Sequence, residues 1–172
     1  VYLAEDLVVE DYSCVDKTQN YEFVKLKEFK GKEINSSFPF LLLASEMCGV
    51  MKAAISMTVD YAKTRVQFGV PIGSFQAVAH PLADSYVKVE GLSALTQFSA
   101  WAFDNSPSQS DLTAFSAWKF AETHGALTVE RAIQLHGGVG FTYEYPLHKY
   151  LRRAKALEVL GGDQSTNLLE SI

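Results

Sequence analysis

The stretch FPFLLLASEMCGVMKAAISMTVDYA, residues 38–62, decides how the chain is read. Within it Leu41, Ala44, Cys48, Met51, Ile55, Val59 and Ala62 recur at steps of three and four residues. That spacing lays one apolar stripe along a helix of about six turns. Ser36 or Ser37 stands where an N-cap is needed, and Pro39 fits the first turn, where a missing N–H costs nothing. Downstream, Gly69, Pro71 and Gly73 break the period between Arg65 and Ser74. A second helix is predicted from near Ser74 to about Asp104, with Phe75, Val78, Leu82, Tyr86, Val89, Leu92, Leu95 and Phe98 on its buried side. Pro81 is expected to kink it or to move its start to near His80. Asn105-Ser106-Pro107-Ser108 reads as a tight connection into a third helix, from about Gln109 to His136, with Leu112, Phe115, Trp118, Ala121, Leu127 and Ile133 as core. Gly137-Gly138-Val139-Gly140 ends it. A short basic helix is predicted from Leu147 to Leu157. After it Gly161-Gly162 breaks the chain, and Asp163 is placed to cap a last helix toward Ile172.

Each apolar stripe needs opposing stripes to cover it, so the fold class is all-α, an antiparallel four-helix up-and-down bundle. Trp101 and Trp118 fall at helical positions suited to core or subunit-interface anchors. Residues 1–35 have another texture: Tyr21, Phe23, Val24 and Leu26 alternate imperfectly among charges, and Gly31 punctuates them. They read as a short irregular or β-like segment, either a remnant of a β domain or an irregular leader, ahead of a helical unit over 36–172.

Composition narrows the function classes. In 172 residues, 48% are apolar, enough for a real core and too many for global disorder. Fifteen basic against twenty acidic residues leave a net charge of −5, which disfavours nucleic acid or an anionic membrane as a general partner. No purely apolar run approaches the ~20 residues of a bilayer span. The opening Val-Tyr-Leu-Ala-Glu-Asp has no basic region of the kind a signal peptide carries, and without an initiator Met it reads as a fragment or processed product. Cys14 and Cys48 match neither a disulfide framework nor a zinc site. One bridge between them stays open, but two free thiols in a reducing, cytoplasmic setting is the plainer reading. Cys48 lies on the apolar stripe and reads as a small core residue. His80, His124, His136 and His148 are scattered, so no metal site is expected.

Two segments carry more polar chemistry than a bundle needs. Arg65 to Gln76 offers a guanidinium, an aromatic at Phe68, glycines that permit close approach, and an amide at a helix entrance. That set suits a pyrophosphate or a carboxylate; an ordinary turn with Arg65 paired to an acid is the alternative. Gln134 to Thr142 holds three glycines beside a helix end, which fits packing on a phosphorylated ligand and equally fits a C-cap and a tight turn.

Together the segments YAKTRVQFGVPIGSFQAVAHPLAD (61–84) and AIQLHGGVGFTYEYPLHKYLRRAK (132–155) resemble the carboxy-terminal helical domain of the acyl-CoA dehydrogenase family. The resemblance covers residues 38–172 and implies an oligomeric flavoprotein that dehydrogenates acyl-CoA thioesters. It implies FAD shared with a neighbouring chain, either in a homo-oligomer or in a heteromer with another such chain. Arg65 corresponds to the arginine that meets the pyrophosphate of the neighbour's FAD, with Phe68 and Gln76 as companions around the adenosine half. Gln134, Gly137 and Gly138 correspond to the segment that packs on the ADP part. The family's catalytic glutamate is not matched. Its usual position falls on Gly161, with Asp163 a displaced substitute, and the alternative position on the first helix falls near Pro39, where no acid stands. Glu46 is a poorer candidate still. Arg152-Arg153 also stands where the family has an Arg-Asp pair. Catalysis by this chain alone is therefore not expected. The readings left open are an FAD-contacting subunit or fragment, a flavin monooxygenase-like protein, and a structural subunit without cofactor.

Overall fold

The computed structural model describes residues 7–12, 14–26 and 37–170. The expected boundary at residue 35, and the alternative cap Ser36, lie outside them. The amino-terminal segment is a hairpin of two antiparallel strands, β1 (Leu7–Tyr12) and β2 (Tyr21–Leu26), with Leu7 opposite Leu26 and Tyr12 opposite Tyr21. Between them Asp16 accepts hydrogen bonds from the Thr18 amide at 2.9 Å and the Thr18 hydroxyl at 2.7 Å, a side-chain-stabilised turn.

The helices are α1 (Phe38–Thr64), α2 (Gln76–Asn105), α3 (Pro107–His136), α4 (Leu147–Gly161) and a short α5 (Ser165–Glu170). Four contacts set their directions. Phe38 meets Phe103 edge-on at 5.2 Å, so the start of α1 lies by the end of α2. The Ser37 hydroxyl donates to Asp111 at 2.6 Å, which ties the starts of α1 and α3. Tyr61 stacks on His136 at 4.3 Å, which ties their ends. The Trp118 indole N–H donates to the Gly162 carbonyl at 2.9 Å, so α4 runs back against α3. The result is the up-and-down bundle that the apolar stripes require.

Helix α1 is long and apolar enough to cross a bilayer by length and composition. Its stripe, from Leu41 and Ala44 through Met47, Met51, Ala54 and Ile55 to Ala62, instead packs inside the bundle. Cys48 is buried there as expected. Burial pushes its thiol pKa up, and both Cys48 and Cys14 are free. Ser37 does not cap α1 with its side chain, because the hydroxyl is committed to Asp111.

Helix α2 departs most from expectation. It starts at Gln76, after a 3₁₀ turn over Ile72–Ser74, and contains Pro81 in its second turn, so the start is not moved to His80. The buried residues are Leu82, Ser85, Val89, Leu92, Thr96, Ser99 and Ala102. Phe75, Tyr86 and Phe98, placed on the buried side by periodicity, face outward at 36%, 56% and 47% exposure. Small hydroxyl residues hold the seam because they let helices approach closely. Ser85 and Thr96 return their hydroxyls to the carbonyls of Pro81 and Leu92, so their burial leaves no orphan donor. Trp101 is also on the surface, stacked on Phe98, which removes it from the core; Trp118 is completely buried.

Helix α3 packs against α1, α2 and α4, and its buried face is correspondingly wide. Leu127 points out of it at 58% exposure, against expectation. Helix α4 outlasts its predicted end at Leu157 and takes in Gly161, so the break falls at Gly162, where φ is +59°.

The hairpin is tied to the bundle by Arg153 of α4, which donates to Asp16, to Thr18 and to Glu46 of α1. Asp16 is fully buried. Burial alone would raise its pKa, but the Thr18 bonds and the Arg153 guanidinium outweigh that and hold it below the ordinary value.

Candidate functional site

At the end of α1 the Arg65 amide donates to the Tyr61 carbonyl at 2.8 Å and closes the helix. The chain then makes a minimal hairpin, β3 (Val66–Gln67) and β4 (Val70–Pro71), with Phe68 at φ +53° and Gly69 at φ +82° between them. Two successive positive-φ residues are what a two-residue loop matching the twist of the strands demands. Phe68 carries this conformation without glycine's freedom, and its ring stands 93% exposed, edge-on to Phe75 at 6.2 Å. The Ile72 amide returns to the Arg65 carbonyl at 2.8 Å, so the arginine's backbone is fixed from both sides.

At the end of α3 the chain turns at Gly137, where φ is +64° and ψ −142°, and continues as a 3₁₀ turn, Gly137–Phe141. Only glycine enters that region readily. Gly140 folds back so tightly that a Cβ there would lie 2.4 Å from the Ile133 carbonyl oxygen. At Gly137 and Gly138, by contrast, a Cβ would meet nothing within 4 Å.

The two segments face each other across one cleft of about 520 Å³, lined among others by Arg65, Gln67, Gln134, Gly137, Gly138 and Thr142. None of the described residues lining it is acidic. The structure thus brings Arg65, Gln134, Gly137 and Gly138 together. Phe68 and Gln76 do not line the cleft; both are exposed, Phe68 on the hairpin tip and Gln76 as the first residue of α2.

The sequence reading missed His136. Its ring is buried at 3% exposure, stacked on Tyr61 and tilted against Tyr145 at 4.7 Å. Its Nδ1 lies 2.8 Å from the Ala132 carbonyl, while Nε2 is buried without a partner. Burial holds its pKa below the ordinary 6.5, only partly opposed by the Ala132 bond. One signal was available: a histidine in the last turn of a helix, immediately before two glycines.

At the far end of α4, a Cβ built on Gly161 would lie 2.0 Å from Trp118 Cζ2. The indole fills the space where a side chain would stand. Asp163, the displaced substitute, is exposed and accepts from Lys119 Nζ at 3.1 Å. Glu46 is engaged by Arg153. The same contacts account for Arg153 standing where an acid was expected: its counter-charges are Asp16 and Glu46. Among the described residues no group of three or more His, Cys, Asp or Glu is gathered to hold a metal ion.

Comparison with known proteins shows what the chain is similar to. Residues 41–170 match the family model described as acyl-CoA dehydrogenase, C-terminal domain. The chain is 40% identical over 114 residues to the acyl-CoA dehydrogenase IpdE2 of Mycolicibacterium smegmatis, covering 66% of this chain and 35% of that protein. It is 38% identical over 122 residues to the acyl-CoA dehydrogenase FadE27 of Mycobacterium tuberculosis, covering 66% of this chain and 33% of the relative. Among solved structures it superposes on the Tcur3481–Tcur3483 steroid ACAD G363A variant with a TM-score of 0.83 at 28% identity, over 96% of this chain and 47% of that one. The ChsE4–ChsE5 complex from Mycobacterium tuberculosis gives 0.81 at 27% identity, over 96% and 48%. The chain therefore spans about a third of the curated relatives and about half of the solved chains.

Proposed function

The chain belongs to the acyl-CoA dehydrogenase family, and from that premise we propose that it supplies the helical side of an FAD site shared with a second chain and does not supply the base of the reaction. The observation that carries this reading is the cleft that gathers Arg65, Gln134, Gly137 and Gly138 on one acid-free surface. A guanidinium pairs with a diphosphate through charge-assisted bonds, and glycines without neighbours leave room for a ligand to come close to the backbone. Phe68 and Gln76, exposed beside the cleft, are assigned to the adenosine half of the cofactor. The residues present fit the group. When bound, FAD supplies the hydride acceptor for α,β-dehydrogenation of an acyl-CoA thioester.

The proton side of the reaction belongs elsewhere in this reading. A general base must come within hydrogen-bond reach of the proton it removes. The position where the family holds its glutamate is Gly161, backed by Trp118, and neither Asp163 nor Glu46 has a carboxylate free of a cationic partner. A base supplied by a partner chain accords with the two-component ChsE4–ChsE5 complex among the solved neighbours. Residues 1–35 are read as a remnant of a β domain or an irregular leader, and the setting as cytoplasmic.

The test is to produce the full-length protein with its partner chain and measure bound flavin by absorbance. Stoichiometric flavin in the assembly that falls in the Arg65→Ala assembly supports the reading, and equal retention overturns it. The 172-residue chain alone is expected to be helical and oligomeric. It is also expected to give no turnover of acyl-CoA thioesters, steroid-linked ones included, with an artificial electron acceptor. An assembly that forms without flavin would mark a structural subunit.

A further inference from the structure

We infer that His136 is the positioning residue of the cleft: wedged between Tyr61 and Tyr145 and bonded to the Ala132 carbonyl, it fixes the direction in which the Gly137–Gly138 backbone leaves α3. The inference rests on the proposed cofactor reading only for what the cleft binds; the positioning itself rests on geometry.

A carbonyl oxygen only accepts, so the 2.8 Å contact to Ala132 requires the proton on Nδ1 and leaves Nε2 as a bare lone pair. That lone pair is buried and unpartnered, a cost the fold tolerates for the sake of the ring's position. The ring lies flat on Tyr61 at an interplanar angle of 19°, and the Tyr61 hydroxyl reaches the His136 carbonyl at 3.4 Å. One tyrosine therefore contacts both the side chain and the backbone of the residue that precedes Gly137. Glycine at 137 has no Cβ to restrict its dihedrals, so the turn cannot define its own course. The restraint comes from the histidine before it, held at the ends of α1 and α3 and by Tyr145. Tyr61 and His136 also line the cleft, so a shift of the ring is a shift of the cleft wall. The groups facing His136 are the phenols of Tyr61 on α1 and Tyr145 ahead of α4, and Arg65 is the charged group on the same cleft.

Two variants separate the ring from the hydrogen bond. His136→Phe keeps the stack and loses the donor. His136→Asn keeps a donor without the ring, a bond this chain already makes where Asn105 Nδ2 reaches the Trp101 carbonyl at 2.9 Å. The readout is amide hydrogen exchange at Gly137 and Thr142, whose N–H groups bond to the Gln134 and Val139 carbonyls, referenced to the centre of α3. Exchange in the turn is expected to rise about tenfold in His136→Phe, the worth of one buried hydrogen bond and its desolvated partner, and to rise also in His136→Asn, which loses the stack on Tyr61, while the α3 centre is unchanged. Flavin retention by the assembly is expected to fall by a similar factor. Unchanged exchange in both variants overturns the inference, whatever the assembly binds. A turn that loosens in an assembly that never held flavin leaves the positioning intact and overturns the cofactor reading. Should a variant fail to fold, the wild-type chain decides. Adding a proton to Nε2 creates a donor without an acceptor, so exchange in the turn relative to the α3 centre should climb as pH falls below 6.5, and a flat ratio overturns the inference.

Discussion

Two glycine sites, one at the end of α3 and one at the end of α4, show opposite uses of the same residue. At Gly161 there is no room: a Cβ would sit 2.0 Å from the Trp118 ring. At Gly137 and Gly138 there is nothing but room, and at Gly137 the backbone itself, at φ +64°, calls for glycine. The first site is a closed core and the second an open surface beside a cation. In the sequence the two look alike, since each is a Gly-Gly pair after a helix, and only the packing distinguishes a filled position from a vacant one.

The largest effect should come from breaking the closed end. Gly161→Glu is expected to cost at least about 3 kcal/mol, above the usual range for overpacking, because a fully buried indole anchored through Nε1 has no path of retreat. Chemical denaturation would show the midpoint fall, and the assembly should gain no dehydrogenation at this chain. A stable, active Gly161→Glu protein would refute the closed-end assignment. Gly161→Ala combined with Trp118→Leu should be more stable than the sum of the single changes allows, since the two residues share one volume.

The open end should behave in the reverse way. Arg65→Ala is expected to leave stability within about 0.5 kcal/mol, as an exposed substitution does. Flavin affinity of the assembly should nonetheless weaken by about ten- to a hundredfold, the worth of a charge-assisted contact. Equilibrium titration with FAD, run beside a melting curve, separates the two quantities. A stability loss with unchanged affinity would make Arg65 an ordinary turn residue.

The comparison also explains what was legible in the sequence. The bundle was, because Leu41 to Ala62 and Phe115 to Ile133 repeat at helical steps that packing has to satisfy. The buried side of α2 was misread because Ser85, Thr96 and Ser99 hold its seam. Hydropathy counts them as surface, and it counts Tyr86 and Phe98 as core. Arg65 and the Gly137 turn were legible as polar chemistry out of place in a bundle, and their meeting in one cleft needed the fold. His136 escaped because its role comes from Tyr61, far from it in sequence, and from Tyr145, brought back onto it by the glycine turn. Arg153 looked like a charge reversal until Asp16 appeared across from it, on a hairpin that precedes the bundle.

Within the open end, Gly137 and Gly138 should differ from each other. Gly137→Ala forces a residue with a Cβ to φ +64° and should cost about 1–3 kcal/mol. Gly138→Ala meets no atom within 4 Å and should leave the melting temperature unchanged, so any loss of flavin affinity in it reports a ligand approaching the backbone. Equal melting temperatures for the two variants would remove the conformational reason for Gly137.

The smallest effect is the dependence of stability on pH, and its sign follows from which state binds the proton. His136 has its pKa lowered by burial, so between 6.5 and its folded value the unfolded chain is protonated there while the folded chain is not. Stability is therefore fully present above 6.5 and is lost as pH falls below it. His124 is lowered too, by burial and by the nearby Lys88, and contributes to the same slope. Asp16 acts in a separate window. Its pKa is held below 3.8, so its stabilisation is present above that value and fades only in stronger acid. Denaturation midpoints from pH 7 to 5 should fall for the wild-type chain and less steeply for His136→Asn, the difference isolating His136. If the two slopes coincide, His124 carries the whole effect and the buried imidazole at the cleft is not held neutral by its surroundings.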